Sequence, residues 1–186
     1  MKTTLSALRL LIALTLLAGL LYPLAVWAIG RAFFRDAAEG SLVRRDGRLV
    51  GSALLAQKTT DPRYFWPRPS AGDYATVASG ASNQAWTSAA LAKSIAERRT
   101  AFAPLDITGV PADLLTASGS GLDPDLSPAA VRFQIDRVAS ARHLTPAQRN
   151  ALVELVARHT EGGQLSPARV NVLRLNLALD RTFAAP

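Results

Sequence analysis

The longest run of uncharged, mostly apolar residues lies near the N-terminus, from Leu10 to Ile29. As an α-helix this run would be about 30 Å long, which matches the hydrocarbon core of a bilayer. Tyr22 and Trp27 lie near its C-terminal end, where aromatic side chains favour the membrane interface. The pattern predicts a transmembrane helix at residues 10–30, after a short tail.

A cleaved signal peptide is the alternative for this segment. Lys2 and Arg9 form a basic region before the apolar run, and residues 26–28 offer a tolerable cleavage context. Cleavage after Ala28 would release a secreted envelope enzyme. The apolar run is longer than that of a usual signal peptide, which favours an uncleaved anchor. Because basic residues flank the run on both sides, charge alone leaves its orientation open.

The residues after the anchor, 31–186, are expected to form one soluble domain. The alternating segments 41–45 and 48–54 flank Asp46-Gly47, a two-residue turn that is typical of a β-hairpin. Residues 59–80 contain clustered prolines and turn residues, which predict a long irregular loop. Such loops often carry function.

Three helices are predicted in the second half of the chain. The first runs from about Ser88 to Thr100. The others begin at Ser127 and Thr145, each followed by proline, which is typical of a helix start. These last two are expected to form a helical hairpin. The residues expected to face the core are Leu91, Ile95, Val131, Ile135, Val138, Leu152, Leu155 and Val156.

The C-terminal segment 170–179 combines two periods. Its leucines from Leu173 onward alternate as in a strand, whereas Val170, Leu173 and Leu177 have helical spacing. We predict a strand that becomes helical near Leu177 and pairs with the N-terminal hairpin. The predicted fold class is α+β, with one N-terminal transmembrane helix followed by a compact domain in which helices pack on a small sheet.

Composition removes several classes of function. The chain has no cysteine, which excludes disulfides and cysteine-based metal sites. Its net charge is +7, from 21 Lys+Arg against 14 Asp+Glu. The basic residues are scattered singly, so membrane lipid is a simpler partner than nucleic acid. His143 and His159 lack a second ligand at helical spacing, so no metal site is expected and each is interpreted as a surface or cap residue.

The search for catalytic motifs identifies no catalytic residue. Residues 118–121 match neither a nucleophile elbow nor a phosphate-binding loop, so they predict a tight turn. Asp123 and Asp125 precede a predicted helix N-terminus, where carboxylates are favoured, so we interpret them as capping residues rather than a cation site. A compact domain on a membrane anchor, without an evident active site, suits an accessory subunit.

Several segments, in order, resemble the C subunits of bacterial Kdp potassium-transporting ATPases, the KdpC family. The resemblance covers nearly the whole chain, including the N-terminal span. Its largest departure is the segment 79–87, where the family has a proline-bearing run, and the conformation of this segment is left open. The matching blocks are 51–57 (GSALLAQ), 64–65 with 68–70 (YF and RPS), 110–124 (VPADLLTASGSGLDP), 134–142 around Gln134 and Arg137, and 170–180 (VNVLRLNLALD).

The resemblance implies a single-span accessory subunit of a complex in the bacterial inner membrane. Its partners would be a channel-like potassium-binding subunit, a P-type ATPase subunit and a small peptide subunit. Such a subunit is expected to stabilise assembly and to raise the ATP affinity of the ATPase subunit as a catalytic chaperone. The N-terminus would be cytoplasmic and the main domain extracytoplasmic. No tightly bound cofactor is implied, and ATP would act through the complex.

The resemblance also assigns candidate site residues. Gln57 corresponds to a glutamine invoked in nucleotide binding, but ATP is cytoplasmic whereas the implied topology places Gln57 outside. We therefore favour indirect coupling across the complex. The alternative is a regulatory subunit that binds ATP directly. The candidate nucleotide-binding residues are Gln57, Ser118, Gly119, Ser120 and Gly121, and the candidate partner-binding residues are Tyr64, Phe65 and Arg68.

Overall fold

The computed structural model describes residues 2–102 and 109–183 of the chain. The chain divides into two compact units, Met1–Val50 and Gly51–Pro186. The first contains the apolar N-terminal helix and most of a β-hairpin, and the second contains a three-stranded sheet with helices around it. This confirms the predicted α+β class.

The N-terminal helix runs without interruption over Lys2–Phe33. It consists of α1 (Lys2–Leu16), a π-helical turn (Leu17–Leu21) and α2 (Tyr22–Phe33). The wider π-helical turn ends two residues before Pro23, whose ring would clash with the carbonyl four residues earlier in a regular α-helix. The 32-residue helix is long and apolar enough to cross a membrane, and the protein buries none of its most apolar window.

The predicted hairpin is present after a short helix, α3 (Arg35–Ala38). Strands β1 (Leu42–Arg45) and β2 (Arg48–Ser52) form a two-stranded sheet. Asp46 and Gly47 have φ values of 51° and 77°. Positive φ at both positions is what a type I′ turn requires, so the dipeptide signal predicted the connection correctly.

The second unit contains the helices that the sequence predicted. The helices after Ser127 and Thr145 begin directly after their predicted caps, and Ser88, predicted only as the approximate start of its helix, is also a cap. All three side chains accept hydrogen bonds from backbone N–H groups of the first turn. Helices α6 and α7 form the expected helical hairpin. The elements are α4 (Ala89–Thr100), α5 (Ala112–Leu115), β3 (Asp125–Leu126), α6 (Pro128–Ala141), α7 (Pro146–Arg158), β4 (Thr160–Glu161), β5 (Arg169–Asn171) and α8 (Val172–Thr182).

The hydrophobic core of this unit lies among α6, α7, α8 and the sheet. Every residue predicted to face inward from α6 and α7 is buried, whereas Leu91 and Ile95 of α4 are half-buried. Helix α4 therefore covers the unit from outside. The largest fully buried side chains are Phe65, Leu126, Val131, Gln134, Val138, Leu152, Val170, Leu175 and Leu179.

The prediction for the C-terminal segment was wrong in two respects. The helix begins at Val172 and not near Leu177, because the side chain of Asn171 caps it by accepting a hydrogen bond from the N–H of Arg174. The strand before it, β5, pairs antiparallel with β3 and β4 and not with the hairpin. The strand therefore completes the small sheet of the second unit.

Candidate functional site

Residues 61–69, which we call the clamped segment, contain no helix or strand, as the sequence predicted. Even so, the backbone carbonyls of residues 62–66 all accept hydrogen bonds from side chains of α6, its C-cap residue and α8. Buried backbone groups need such partners outside a sheet. The bonds are Arg137 Nη1 to Pro62 O (2.7 Å), Arg142 Nε to Arg63 O (2.7 Å), Arg137 Nη2 to Tyr64 O (3.1 Å), Asn176 Nδ2 to Phe65 O (3.0 Å) and Gln134 Nε2 to Trp66 O (3.1 Å).

Two of these side chains, Gln134 and Asn176, form the pair of backbone hydrogen bonds that a neighbouring β-strand would otherwise form. The Gln134 amide also accepts from the N–H of Trp66 at 2.8 Å, and the Asn176 amide accepts from the N–H of Phe65 at 2.9 Å. Each amide therefore satisfies both backbone polar groups of one residue. This arrangement directs the Phe65 side chain into the core, where it is 0% exposed. The expectation that Phe65 forms part of an accessible docking face is corrected by this burial.

Tyr64 is held by a buried ion pair at the end of α6. Arg142 Nη2 lies 2.6 Å from Asp180 Oδ1, and the two side chains are only 2% and 7% exposed. Arg142 also donates to Phe183 O, and its guanidinium lies 4.9 Å from the centroid of the Tyr64 ring. The Tyr64 hydroxyl donates to Asp180 Oδ2 at 3.0 Å. Burial first, and this bond second, raise the pKa of Tyr64.

Arg137 lies over the Trp66 ring, with its guanidinium carbon 3.8 Å from the ring centroid. It donates to two backbone carbonyls of the clamped segment and to the Gln134 amide. Burial lowers the pKa of Arg137 to about 10. Arg137 thus positions the clamped segment through carbonyl hydrogen bonds and ring stacking.

Arg68, the third candidate docking residue, forms an ion pair with Asp123. Arg68 Nη1 lies 3.1 Å from Asp123 Oδ2, and the side chains are 25% and 33% exposed. The other Asp123 oxygen accepts from the N–H of Asp125. The interpretation of Asp123 as a helix cap is therefore wrong. Ser127 already caps α6, and Asp123 instead links β3 to the end of the clamped segment.

Asp125 likewise has a role other than capping. Its carboxylate accepts from Asn171 Nδ2 at 3.2 Å and lies 3.4 Å from Arg169 Nε, so it joins the ends of β3 and β5. Burial raises the pKa of this carboxyl. The contacts of Asp125 stabilise the sheet.

The backbone segments that carry the two groups of candidate nucleotide residues are joined by a hydrogen bond between their neighbours. The N–H of Ala56 donates to Leu122 O at 2.9 Å, which places the residue before Gln57 beside the end of the 118–121 turn. Gln57 is exposed, and its amide occupies the space that a Cβ at Gly51 would need. A glycine at position 51 therefore lets this side chain pack against the backbone.

The two parts of this candidate site line different cavities. Gln57 lines a cavity of about 40 Å³. Ser118, Gly119 and Ser120 line another cavity of about 400 Å³. No lysine or arginine lines either cavity in the described part of the chain, and Asp123 adds a negative charge to the larger one. Neither cavity therefore presents a cation to a phosphate group.

Residues 118–121 form the tight turn that the sequence predicted. The N–H of Gly121 donates to Ser118 O at 3.2 Å, and Gly121 has a φ of 70°. A Cβ at Gly121 would also lie only 3.0 Å from Gly80 O. Glycine is thus required both by the backbone conformation and by a close neighbour. The turn supports residues 79–80, because Ser79 Oγ donates to Ser120 O at 2.8 Å.

The histidines have structural positions. His159 is the C-cap residue of α7, with its Nδ1 2.9 Å from Leu155 O, as the cap interpretation expected. His143 is an exposed residue after α6 with a φ of 53°. No group of three or more His, Asp or Glu side chains suited to a metal ion occurs within residues 2–102 and 109–183.

Sequence reasoning missed the clamping role of four residues. Gln134 lies on the same helix face as Val131, Ile135 and Val138, and it is 0% exposed. A polar residue within an apolar stripe is a signal that the helix binds a buried polar group, and this signal was available in the sequence. The other residues of the clamp gave no local signal. They are Arg137, Arg142 and Asn176.

These features define a class of protein: an apolar helix of membrane-spanning length, followed by a compact α+β unit in which polar side chains clamp an extended segment. A model of the KdpC family, described as "K+-transporting ATPase, c chain", matches residues 4–181. The match includes the apolar helix and almost all of the second unit. The chain belongs to the KdpC family.

Relatives named potassium-transporting ATPase KdpC subunit match along nearly their whole length. The relative from Sorangium cellulosum is 53% identical over 183 residues, which cover 94% of this chain and 95% of that protein. The relative from Dechloromonas aromatica is 46% identical over 190 aligned positions, covering 97% and 98%. The relative from Gemmatimonas aurantiaca is 49% identical over 186 positions, covering 96% and 92%.

Proposed function

We propose that the chain is a non-catalytic accessory subunit of an ATP-driven potassium uptake complex. The observation that carries this proposal is the family match over residues 4–181, which includes both the apolar helix and the α+β unit. Relatives that align along nearly their entire length are named as subunits of a potassium-transporting ATPase. The expected partners are a channel-like potassium-binding subunit, a P-type ATPase subunit and a small peptide subunit.

The proposed role is to stabilise assembly and to raise the ATP affinity of the ATPase subunit by indirect coupling. Two observations support indirect coupling over direct ATP binding. The cavity at Gln57 has a volume of only about 40 Å³, and among residues 2–102 and 109–183 no cation lines either that cavity or the one at the 118–121 turn. Coupling of this kind requires a conformational equilibrium that both subunits bias.

The proposed location is the bacterial inner membrane, which residues 10–30 would cross once. We place the N-terminus in the cytoplasm and the domain at 31–186 outside. Proteolysis of intact spheroplasts is expected to digest the main domain while leaving a cytoplasmic marker protein intact. Protection of the domain until the membrane is lysed would reverse this orientation.

Assembly tests the accessory role directly. We expect the full-length chain, purified in mild detergent from potassium-starved cells of its source, to bring a P-type ATPase and a channel-like subunit with potassium-stimulated ATP hydrolysis. Deleting the chain should lower both the yield of the complex and its apparent ATP affinity. Undiminished yield and ATP affinity without the chain would contradict the proposal.

Nucleotide binding by the chain alone separates indirect from direct coupling. We expect the full-length chain in detergent to show no heat of binding with ATP at millimolar concentration. Gln57→Ala and the control Gln164→Ala, which changes another exposed glutamine, should behave alike in the complex. Binding that Gln57→Ala abolishes and Gln164→Ala preserves would instead support the direct alternative.

A further inference from the structure

Two adjacent phenylalanines at the end of the N-terminal helix differ from the other phenylalanines of the chain. Phe33 is 77% exposed and Phe34 is 66% exposed, although phenylalanine is usually buried. We call residues 30–39, which contain both, the aromatic turn. The remaining phenylalanines of the sequence all lie in or against the core of the second unit, and they are Phe65, Phe102, Phe133 and Phe183.

The chain breaks its long helix at Phe34 and then folds back. Phe34 has a φ of −133° and a ψ of 44°, and α3 begins directly after it. A Cβ at Gly30 would lie 3.8 Å from the Cβ of Ala38, and Glu39 accepts a hydrogen bond from Arg31 Nη2 at 3.0 Å. The end of the aromatic turn therefore lies beside its beginning, so the turn is compact.

The length of the apolar run indicates where the aromatic turn lies in a bilayer. The charged residues that bound the run, Arg9 and Arg31, are about 33 Å apart along the helix axis, close to the thickness of the hydrocarbon core. Phe33 lies only about 3 Å further along that axis. Since the headgroup layer is about 5–7 Å thick on each side, the compact turn falls within it.

The backbone at the break suits a layer that contains less water than the bulk solvent. The N–H of Phe34 donates to Gly30 O at 2.8 Å, and the carbonyl of Phe34 accepts from the N–H of Ala38 at 2.8 Å. Unpaired peptide groups are costly where water is scarce. Phe34 can therefore enter the lipid interface with both of its own peptide groups paired.

The charges of the aromatic turn cancel. Arg31 and Arg35 both pair with Glu39, and Asp36 is the second acidic residue, so residues 30–39 have no net charge. Attraction to anionic headgroups therefore contributes little, and the aromatic rings have to supply the contact. Aromatic side chains favour the membrane interface, and Trp27, one helical turn earlier, lies under the Arg31 guanidinium.

We infer that the aromatic turn is a lipid-contact surface, with Phe33 and Phe34 inserted into the headgroup layer of the bilayer. The apolar helix continues directly into the turn and places the two rings in that layer. The chain therefore leaves the membrane surface only after residue 39. This inference rests on the proposed membrane location, which supplies the bilayer.

The first test measures depth, which is possible because the chain has no cysteine of its own. Nitroxide labels are attached to Phe34→Cys, to Leu20→Cys midway along the apolar run, and to Leu165→Cys on an exposed loop of the second unit. In the full-length chain in phosphatidylcholine vesicles, the label at 34 should lie within about 7 Å of the lipid phosphates. The label at 20 should lie deeper, and the label at 165 should be in water.

Two outcomes of this measurement would overturn the inference. One is a label at 34 that is as accessible to a water-soluble nickel reagent as the label at 165. The other is a label at 34 that enters the headgroup layer only after phosphatidylglycerol is added, because a contact made by the aromatic rings does not require anionic lipid.

The second test removes the two rings and reads depth at Ala37→Cys. Phe33→Ser combined with Phe34→Ser should move this label outward by about 3 Å or more, roughly half the headgroup layer. Phe33→Tyr combined with Phe34→Tyr keeps two aromatic rings and should leave the label at its original depth. An unchanged depth in the double serine variant would refute the role of the rings.

The third test identifies what covers position 34. Phe34→p-benzoylphenylalanine in the full-length chain should crosslink to lipid in native membranes. Crosslinking only to another subunit, or only to a second copy of this chain, would overturn the inference.

These tests separate the inference from the proposed membrane location. If the label at Leu20→Cys is accessible to water, the membrane location fails and the inference fails with it. If that label lies within the bilayer while the label at Phe34→Cys lies in water, the membrane location stands and the lipid-contact surface is refuted.

Discussion

Arg142 is the residue whose interactions extend furthest through the second unit. It is 2% exposed, and its guanidinium contacts the carbonyls of Arg63 and Phe183 as well as the carboxylate of Asp180. A buried ion pair of this kind contributes less by its own attraction than by the cost of leaving one charge uncompensated. Arg142 therefore fastens both the clamped segment and the C-terminal end of α8.

Replacing Arg142 tests this role. Arg142→Ala should lower the free energy of unfolding by about 3–5 kcal/mol, because the buried Asp180 carboxylate loses its positive partner. Arg149→Ala is the control, since the Arg149–Asp136 pair is 45% and 64% exposed and should contribute about 0–1 kcal/mol. Urea unfolding of the full-length chain in detergent measures both. Equal losses would contradict the assigned role of Arg142.

Tyr74 gives a prediction for alkaline pH. Its hydroxyl donates to Arg68 O at 2.9 Å, and burial raises the pKa of Tyr74 from 10.0 to about 12. The folded state therefore favours the neutral phenol. The stabilisation that the neutral Tyr74 phenol gives the folded state is fully present below about pH 10. It is lost as the pH rises toward about 12, because Tyr74 ionises at a lower pH in the unfolded chain than in the folded one.

The difference between wild type and Tyr74→Phe isolates this effect from other titrating groups. The free energy of unfolding of the wild type should fall more steeply than that of Tyr74→Phe between about pH 10 and 12. Below about pH 10 the variant should be less stable by about 1 kcal/mol, because it lacks the hydrogen bond to Arg68. Parallel pH profiles would show that Tyr74 ionises alike in both states.

At the scale of elements, the clamped segment is held by helices and does not join a sheet. Gln134 of α6 and Asn176 of α8 bond the backbones of Trp66 and Phe65 from opposite helices. Phe65 and Trp66 therefore have both backbone polar groups hydrogen-bonded, as residues of a strand do, although the segment belongs to no sheet. Its fixed position depends on side chains, so single substitutions on the helices should release it.

Gln134→Leu tests the clamp. The substitution keeps the approximate volume of the side chain but leaves the part-buried N–H and C=O of Trp66 without their partner. We expect a loss of about 2–4 kcal/mol in the free energy of unfolding, and faster amide exchange at residues 63–67. Asn150→Leu, at an exposed amide of α7, should change stability by less than about 0.5 kcal/mol. Unchanged exchange at 63–67 would refute the clamp.

At the scale of the whole molecule, the two units differ in what stabilises them. The core residues identified in the described part of the chain all belong to Gly51–Pro186, whereas the side chains of the N-terminal helix are not buried. The second unit also has a length that is usual for one domain. Its stability should therefore be largely independent of the first fifty residues.

A fragment comprising residues 51–186 should fold on its own. We expect it to be soluble without detergent and to unfold in a single cooperative transition, because it contains the identified core and the complete clamp. A fragment that begins at residue 70 lacks the clamped segment and Phe65, so it should not unfold cooperatively. Aggregation of the 51–186 fragment, or equal behaviour of the two fragments, would contradict this division.

The sequence alone predicted the features that depend on near neighbours. The apolar run of the N-terminal helix, the Asp46-Gly47 turn and the caps at Ser127 and Thr145 are all visible within a few residues. Their conformations follow from local geometry, since turn dihedrals and cap hydrogen bonds involve residues close in the chain. The family resemblance, which uses ordered blocks along the whole chain, was also available from sequence.

Only the tertiary structure decided which distant residues meet. Phe65 became a core residue because Asn176, 111 positions away, bonds its backbone, and Asp123 became the partner of Arg68 from 55 positions away. The pairing of β5 with β3 was likewise unforeseen. Hydrophobic periodicity indicates that a residue is buried, but it does not indicate which residues it packs against. The partners are selected by the packing of the whole chain, in which every buried polar group must find a hydrogen bond.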